Sequence, residues 1–185
     1  MGKFNLSGGD QGESKAPQKL LDIIGNEILI EKFPKCDLIE ASLATLPSKN
    51  TDADFNAFIV HDERHIDIVF GDVSLKGVEA TILSTRIKDL IPKERVESLE
   101  EIVNSIEEHA FDLLRTHGAY LTLFYGRFDL EKMQFSFIDR GFTRTLIIDK
   151  EGETYFLTSN YLPIGIERGG ESSEEVVPIH VDEKW

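Results

Sequence analysis

The chain has 185 residues, of which 41% are apolar, and a formal net charge of −14. This length suits one domain that buries about 70% of the surface of its unfolded chain. The charge argues against nucleic acid as a partner, because phosphate binding needs clustered Lys and Arg. No apolar run reaches the roughly 18 residues of a membrane helix, and the first residues lack the apolar core of a signal peptide. With Cys36 as the only cysteine, no internal disulfide can form, and we expect a cytoplasmic protein without a membrane partner.

The first part of the chain has two segments of different composition. Residues 1–18 are polar and rich in Gly and Ser, which predicts a flexible lead-in. Over residues 19–34 apolar side chains recur at helical spacing until Pro34, which predicts an N-terminal helix. Residues 35–185 are interpreted as the folded domain.

Within that domain the pattern predicts strands, then two helices, then strands again. The first strands are rich in Ile, Val, Phe and Leu and cover 38–46, 55–61 and 65–72. A second run of strands covers 120–129, 132–139, 143–149, 153–158 and 175–181. This order is typical of a mixed α+β fold, in which helices pack on the outer face of a sheet.

Two apolar stripes at helical spacing predict the helices between these strands. The first stripe runs from Val78 through Ile82 to Ile91, and Pro92 ends it. The second covers 96–114, with Gly118 as the stop signal. Its start is open: Ser98 has capping-box spacing to Glu101, but a start near Lys93 fits the apolar pattern as well.

The segment that carries chemistry is 69–77, which reads Val-Phe-Gly-Asp-Val-Ser-Leu-Lys-Gly. Asp72 stands at the end of a predicted strand beside Gly71, where no side chain shields the backbone, and the Val73 carbonyl adjoins it. Carboxylate and carbonyl oxygens are the ligands that Mg²⁺ and Mn²⁺ prefer. The alternative is ordinary: Gly71-Asp72 forms a turn, and Asp72 caps the next helix.

Other polar residues point less clearly to function. Lys76 follows Asp72 in the same turn, where its charge would attract phosphate, although a solvated surface lysine fits equally well. His61 and His65 are close in sequence across a predicted turn, and we interpret them as surface or hairpin residues rather than metal ligands. Cys36 has no nearby His and is interpreted as an ordinary thiol.

The segment 71–80, Gly-Asp-Val-Ser-x-Lys-Gly-Val-x-Ala, resembles the central motif of a phosphatase family. The family is the stage II sporulation E branch of the PPM-type (phosphatase 2C-like) serine/threonine phosphatases. Asp-Ala-Asp-Phe at 52–55 is similar to its Gly-Gly-Asp-Phe motif. Three further segments resemble family segments in the same order: its first core strand at 39–48, Thr-Leu-Phe-Tyr-Gly-Arg-Phe-Asp at 122–129 and Leu-Pro-Ile-Gly-Ile at 162–166.

The resemblance implies both a fold and a reaction. The fold is an αββα layered sandwich of two mainly antiparallel sheets flanked by helices, here incomplete at the C-terminal side, so that 35–185 would be a phosphatase-like domain. The reaction is hydrolysis of phosphoserine or phosphothreonine on a protein, typically an anti-sigma factor antagonist. Two Mn²⁺ or Mg²⁺ ions would serve it, with Asp72 as the catalytic bridging ligand, the Val73 carbonyl as a ligand of one metal and Asp54 holding the second.

The chain also departs from the family pattern. Asp52-Ala53 replaces two glycines, Asn56-Ala57 replaces Tyr-Asp, Leu75 replaces Gly, and Arg-Gly-Phe at 140–142 replaces Ala-Gly-His. Two metal carboxylates that the family carries further along do not occur before the last residue given. We therefore expect weak metal binding, low turnover and, because a strand edge at 176–181 would be unpaired, weak self-association.

Two other functions remain open from the sequence. A degenerate or truncated phosphatase fold would bind a phosphoprotein or a regulatory partner without turning it over. A structural α+β domain with an incidental motif is the third interpretation.

Overall fold

The computed structural model describes residues 29–33, 35, 39, 42–44, 53–142, 145–148, 151–157, 161–170 and 172–179. These residues form, in chain order, β1 (Asp54–Val60), β2 (His65–Val73), α1 (Gly77–Lys88), α2 (Leu99–Thr116), β3 (Leu121–Asp129), β4 (Gln134–Arg140), β5 (Thr145–Ile148), β6 (Thr154–Leu157) and β7 (Glu175–Pro178). No helix among them is long and apolar enough to cross a membrane.

The strands form two antiparallel sheets. Five of them pair in the order β1-β2-β3-β4-β7, and β5 pairs with β6 in a separate hairpin. The helices α1 and α2 cover one face of the five-stranded sheet, and the β5–β6 hairpin covers the other. The α+β class and the two antiparallel sheets are confirmed. The described residues show three layers, and the second helix layer of the predicted αββα sandwich is not found among them.

Alternation along the strands divides the interior into two cores. In β2, Val69 and Val73 pack under the helices, whereas Ile68 and Phe70 point between the sheets. The core under the helices is mainly aliphatic, and the core between the sheets is rich in Phe. A side-chain period of two along a strand produces this division. It also decides which polar side chains face which layer.

The apolar stripe predicted for α1 is only partly right. Val78 and Ile82 are 50% and 55% exposed, whereas Leu83 and Ile87 of the predicted stripe are buried, together with Ala80. Because those three positions recur at helical spacing, they present one continuous face to the sheet. For α2 the open question of its start is settled, since the Ser98 side chain accepts a hydrogen bond from the Glu101 backbone N–H at 3.2 Å.

Several predictions for the first fifty residues fall largely outside the described part of the chain. This holds for the lead-in 1–18 and for residues 19–28 of the predicted N-terminal helix. Residues 30–33 are described and are not helical. There Glu31 lies beside β1, with its backbone N–H donating to Asn56 Oδ1 at 2.8 Å and its carbonyl accepting from Asn56 Nδ2 at 2.9 Å. Of the strand predicted at 38–46, residues 39 and 42–44 are described and form no strand.

Candidate metal site

The two carboxylates singled out in the sequence face each other in the five-stranded sheet. Asp54 in β1 is the direct cross-strand partner of Asp72 in β2, and Asp72 is in turn opposite Thr122 in β3. Directly opposed residues of an antiparallel pair project to the same face with Cβ atoms about 4.5–5.5 Å apart. The pleat that directs Phe70 between the sheets directs Asp72 to the same side. The fold therefore brings Asp54 and Asp72 together.

A cavity of about 260 Å³ opens at this row of residues. Both carboxylates line it and both are exposed, so solvent reaches them. The remaining lining is mixed: polar side chains from two strands, and aromatic and aliphatic side chains that give it apolar walls. These residues are Asn56, Thr122, Ile30, Leu43, Phe55, Phe70, Gly71 and Phe142.

The Val73 carbonyl lies at the end of β2, where the sequence places it. It accepts a hydrogen bond from the Leu75 backbone N–H at 2.6 Å. Ser74 ties this turn to the chain before β3, because its N–H donates to the Tyr120 carbonyl and its Oγ accepts from the Tyr120 N–H, each at 2.9 Å. Val73 itself is not among the residues that line the cavity, so its part as a metal ligand stays a prediction.

The alternative interpretation of Gly71-Asp72 as a turn with a helix cap is wrong. Both residues lie inside β2, and the N-cap of α1 is Lys76, which makes no side-chain capping bond. The reason for glycine also differs from the one expected. A Cβ on Gly71 would lie 2.2 Å from Cζ of Phe55, so the glycine admits the Phe55 ring on the helix side of the sheet and does not open the backbone to a metal.

Lys76 is exposed and is not among the residues that line the cavity. It lies at the start of α1, with Gly77 following at a φ of 76°. The structure therefore brings Asp54 and Asp72 together at one cavity and leaves both Val73 and Lys76 outside its lining. The role of Lys76 in phosphate binding stays a prediction.

Asp139 is a residue of this region that the sequence analysis missed. It is opposite Phe124 in the β3–β4 ladder, and so faces the space between the sheets, as Asp72 does. Its Oδ1 accepts a hydrogen bond from the Phe142 N–H at 2.7 Å, and Phe142 lines the cavity. Burial raises the pKa of Asp139 to about 6. The signal in the sequence was the turn Asp139-Arg-Gly-Phe142, whose Gly141 has a φ of 72°.

A buried polar cluster at the other end of β2 was also missed. Asp67 is fully buried and accepts two hydrogen bonds from Arg127, at 2.6 and 2.7 Å, and one from the Tyr125 hydroxyl at 3.0 Å. His61 Nε2 lies 3.0 Å from the same carboxylate. Burial and the neighbouring Asp67 raise the pKa of Tyr125. Asp67 is five residues from Asp72, roughly 17 Å along the strand, so this cluster stabilises the sheet and is separate from the cavity.

The histidines are in a hairpin, as predicted, but not on the surface. The side chains of His61 and His65 are 5% and 9% exposed. His65 Nδ1 lies 2.8 Å from Asp62 Oδ2, and Asp62 also accepts from the His65 and Arg64 backbone N–H groups. Their roles are therefore structural, in closing the β1–β2 turn.

The donor set at the cavity fits a hard divalent cation in kind. The two opposed carboxylates supply oxygen ligands, which Mg²⁺ and Mn²⁺ prefer, and both cations commonly keep several waters. The number of these oxygen ligands is small. No cluster of three or more His, Cys, Asp or Glu side chains that could hold a metal occurs in the described part of the chain.

Comparison with known proteins supports this picture of the fold. No curated protein matches the sequence. Among solved structures, the RsbU and RsbW domains of Rv1364c from Mycobacterium tuberculosis match with a TM-score of 0.61 at 15% identity, over 85% of this chain and 44% of that one. The phosphatase domain and regulatory-domain fragment of SpoIIE from Bacillus subtilis match with a TM-score of 0.58 at 18% identity, over 69% of this chain and 38% of that one.

RsbX in complex with magnesium gives a TM-score of 0.57 at 17% identity, over 70% of this chain and 61% of that one. The chain thus spans less than two thirds of the length of each of these structures, and at such identities the likeness shows a shared fold. The family model of stage II sporulation protein E matches residues 62–184, well over half of the chain. The chain therefore belongs to the SpoIIE family of PP2C-type phosphatases.

Proposed function

We propose that this chain is a metal-dependent protein phosphatase domain that hydrolyses phosphoserine or phosphothreonine on a bacterial signalling protein. The observation that carries the proposal is the direct opposition of Asp54 and Asp72 at a solvent-accessible cavity. In a chain of this family, that pair lies where the motif resemblance expects metal ligands.

Each residue of the site has a distinct part in the proposal. Asp72 and Asp54 would hold Mn²⁺ or Mg²⁺ from two adjacent strands, and the Val73 carbonyl would add a third oxygen. The chemistry that a bound cation supplies is activation of water and neutralisation of charge on phosphate oxygens. Magnesium in the RsbX structure supports a divalent cation here. Lys76, at the start of α1, would attract the phosphate from outside the cavity.

Protein partners are the substrate class that the related structures support. These structures are the RsbU and RsbW domains of one protein and SpoIIE with a fragment of its regulatory domain, and a further match belongs to the bacterial stressosome. We propose a phosphorylated anti-sigma factor antagonist, or a similar cytoplasmic signalling protein, as the substrate. The strongly negative chain disfavours nucleic acid.

A non-catalytic phosphoprotein-binding module is the second candidate. The observation that favours it is the small donor set, because the described residues contain no cluster of three or more metal-ligating side chains. A cation held by few carboxylates binds weakly, and a site without firmly placed metal has neither an activated nor a positioned nucleophile.

Calorimetric titration with Mn²⁺ tests the site. We expect the 185-residue chain to bind Mn²⁺ weakly and the Asp72→Asn variant to show no measurable binding. Asp54→Asn should weaken Mn²⁺ binding about tenfold, because an interaction with a charged group contributes about 1.5–3 kcal/mol. Asp89→Asn is the matched control, because Asp89 is exposed at the end of α1 and does not line the cavity. Tight binding that persists in Asp72→Asn would refute the assignment.

Activity distinguishes the two candidate functions. The phosphatase proposal predicts slow, Mn²⁺-dependent hydrolysis of p-nitrophenyl phosphate and of a phosphoserine protein, lost in Asp72→Asn and retained in Asp89→Asn. A chain that binds the phosphoprotein but shows no turnover at saturating Mn²⁺ would be the binding module instead.

A further inference from the structure

A second cavity lies between the five-stranded sheet and the β5–β6 hairpin. Its volume is about 480 Å³. Residues of β2, β3 and β4 form one wall, and residues of both hairpin strands form the other. Protein interiors are packed so closely that voids larger than a water molecule are few, and a volume of this size is typical of cavities that bind small molecules. The intersheet cavity is therefore large enough for a ligand.

The lining of the intersheet cavity is almost entirely apolar. Of its eleven lining residues, five are Phe and five are Ile or Leu. Thr145 carries the single polar side chain among them, and none of them is charged. A buried water molecule needs about two to four polar partners, which these side chains do not supply. Water is therefore held weakly here, and an apolar ligand gains free energy by displacing it.

The Phe side chains of the intersheet cavity form a connected aromatic wall. The ring centroid of Phe124 lies 6.3 Å from that of Phe135 and 6.4 Å from that of Phe142. Phe128 is 4.6 Å from Phe135, and Phe70 is 6.2 Å from Phe142. Aromatic rings attract each other at such separations, in offset or edge-on arrangements. The ring of a ligand would meet further ring faces and edges of the same kind.

The hairpin leaves the intersheet cavity accessible to solvent. Thr145 and Ile147 line the cavity from β5, and both are partly exposed. Ile147 packs against the Phe-rich core, whereas Ile148, the next residue along the strand, is 64% exposed and does not line the cavity. Because Thr145 and Ile147 contact both the cavity and solvent, a ligand can enter beside β5.

We propose that the intersheet cavity binds a small, neutral aromatic molecule. A charged group would have no partner among the apolar walls, and burying an unpaired charge is costly. The Phe rings favour an aromatic ligand over an aliphatic ligand of the same size. The Thr145 hydroxyl both donates and accepts, so it would bind one polar group of the ligand, such as a phenolic hydroxyl.

The proposed ligand site is adjacent to the candidate metal site. Phe70 and Phe142 line both cavities, so these two rings form a shared wall. Asp54 and Asp72 line only the candidate metal cavity. The proposed ligand would therefore contact two rings of the metal cavity without contacting its carboxylates.

Nuclear magnetic resonance on the ¹⁵N-labelled full chain tests the proposal, with phenol as the probe at pH 7. We expect saturable amide shifts at 124–128, 135–142 and 145–147, none in α1 or α2, and a dissociation constant of about 1–10 mM, as suits so small a ligand. Cyclohexanol has the same size and hydroxyl group but no aromatic ring, and should bind about threefold to tenfold more weakly. Because the test contains neither phosphate nor metal, its outcome is independent of the phosphatase proposal.

Two variants of β5 separate the intersheet cavity from the exposed apolar surface of the hairpin. Ile147→Trp enlarges a side chain that lines the cavity and should weaken phenol binding by at least about tenfold. Ile148→Trp makes the same change at the next residue, outside the lining, and should leave phenol binding unchanged. Thr145→Val, which removes the one hydroxyl, should weaken it about threefold. This third variant retains a test should Ile147→Trp fail to fold.

Four results would each overturn the proposal. They are binding of cyclohexanol as tight as that of phenol, equal weakening by Ile147→Trp and Ile148→Trp, unchanged phenol binding in Thr145→Val, and shifts spread over the whole surface. The absence of any saturable shift would overturn it too, because the cavity would then be closed to ligands.

Discussion

Replacing Asp139 by Asn should stabilise the protein at neutral pH. Asp139 is 3% exposed, and burial raises its pKa from the usual 3.8 to about 6. Glu175, on the neighbouring strand β7, acts in the same direction. Asn is neutral, has almost the same shape and keeps an oxygen that can accept from the Phe142 N–H. The substitution therefore removes the cost of burying charge and retains the hydrogen bond that holds Phe142.

The magnitude follows from the difference between the two pKa values. A rise from 3.8 to about 6 corresponds to about 3 kcal/mol, at about 1.4 kcal/mol for each tenfold change in proton affinity. Since the raised pKa belongs to the folded state, the folded protein binds more protons than the unfolded chain between these two pH values. The destabilisation caused by the buried, ionised Asp139 is therefore complete above about pH 7 and declines as the pH falls towards 4. We expect Asp139→Asn to raise the free energy of unfolding by about 1–3 kcal/mol at pH 7.5 and by almost nothing at pH 4.

Urea unfolding at several pH values between 4 and 8 measures this effect. Asp129→Asn is a control of opposite sign. Burial acts to raise the pKa of Asp129, but the Lys132 backbone N–H, the Lys132 side chain and His65 outweigh it and lower that pKa. Asp129→Asn should accordingly destabilise the protein at pH 7.5, with a loss that persists until the pH falls below the usual 3.8.

An Asp139→Asn effect on stability that does not vary with pH would contradict this prediction. Destabilisation by Asp139→Asn throughout this pH range would contradict it too, because the ionised carboxylate would then be a favourable partner of the Gly141–Phe142 turn.

Three further predictions follow from other parts of the fold. Gly71→Ala should reduce the free energy of unfolding by about 1–3 kcal/mol, because the new Cβ would lie 2.2 Å from the Phe55 ring. In urea titration, the double variant with Phe55→Leu should lose less stability than the sum of the two single variants. Equality with that sum would contradict this account. Asp67→Asn should cost about 3–5 kcal/mol, since it leaves the Arg127 guanidinium buried without its anion, and a loss below about 1 kcal/mol would show that water or another group compensates. The chain should self-associate weakly, and more strongly at high salt, because screening reduces repulsion from its net charge of −14. A chain that stays monomeric in sedimentation velocity at both low and high salt would contradict this.

Local patterns in the sequence were sufficient for the class of fold and for most of its elements. Period-two alternation and helical spacing predicted both helices and the strands that follow them, because these patterns express which side of an element meets apolar neighbours. The cap at Ser98 was foreseen as one of two alternatives, and its hydrogen bond to Glu101 shows which is right. Gly118, the predicted stop of α2, has the positive φ of 62° that favours glycine.

The local pattern at 69–77 pointed to Asp72 and the Val73 carbonyl, but Asp54 was identified only because 52–55 resembles a family motif. No spacing in the chain says that Asp54 and Asp72 face each other, since their opposition depends on the register of β1 against β2. A shift of one residue would send one carboxylate to the other face of the sheet. The side chains packed on each face, such as Phe55 over Gly71, hold that register.

The tertiary structure alone decided the environment of individual polar groups. No sequence pattern indicated a role for Asp67 or Asp139, and helical spacing placed the exposed Val78 and Ile82 in a buried stripe. Burial of a side chain depends on which distant segments cover it, and a pKa depends on the charges and hydrogen bonds that those segments bring. The sequence by itself therefore determined the family and most of the elements. The pairing of the carboxylates and the buried ion pairs come from contacts between residues far apart in the chain, which no local pattern encodes.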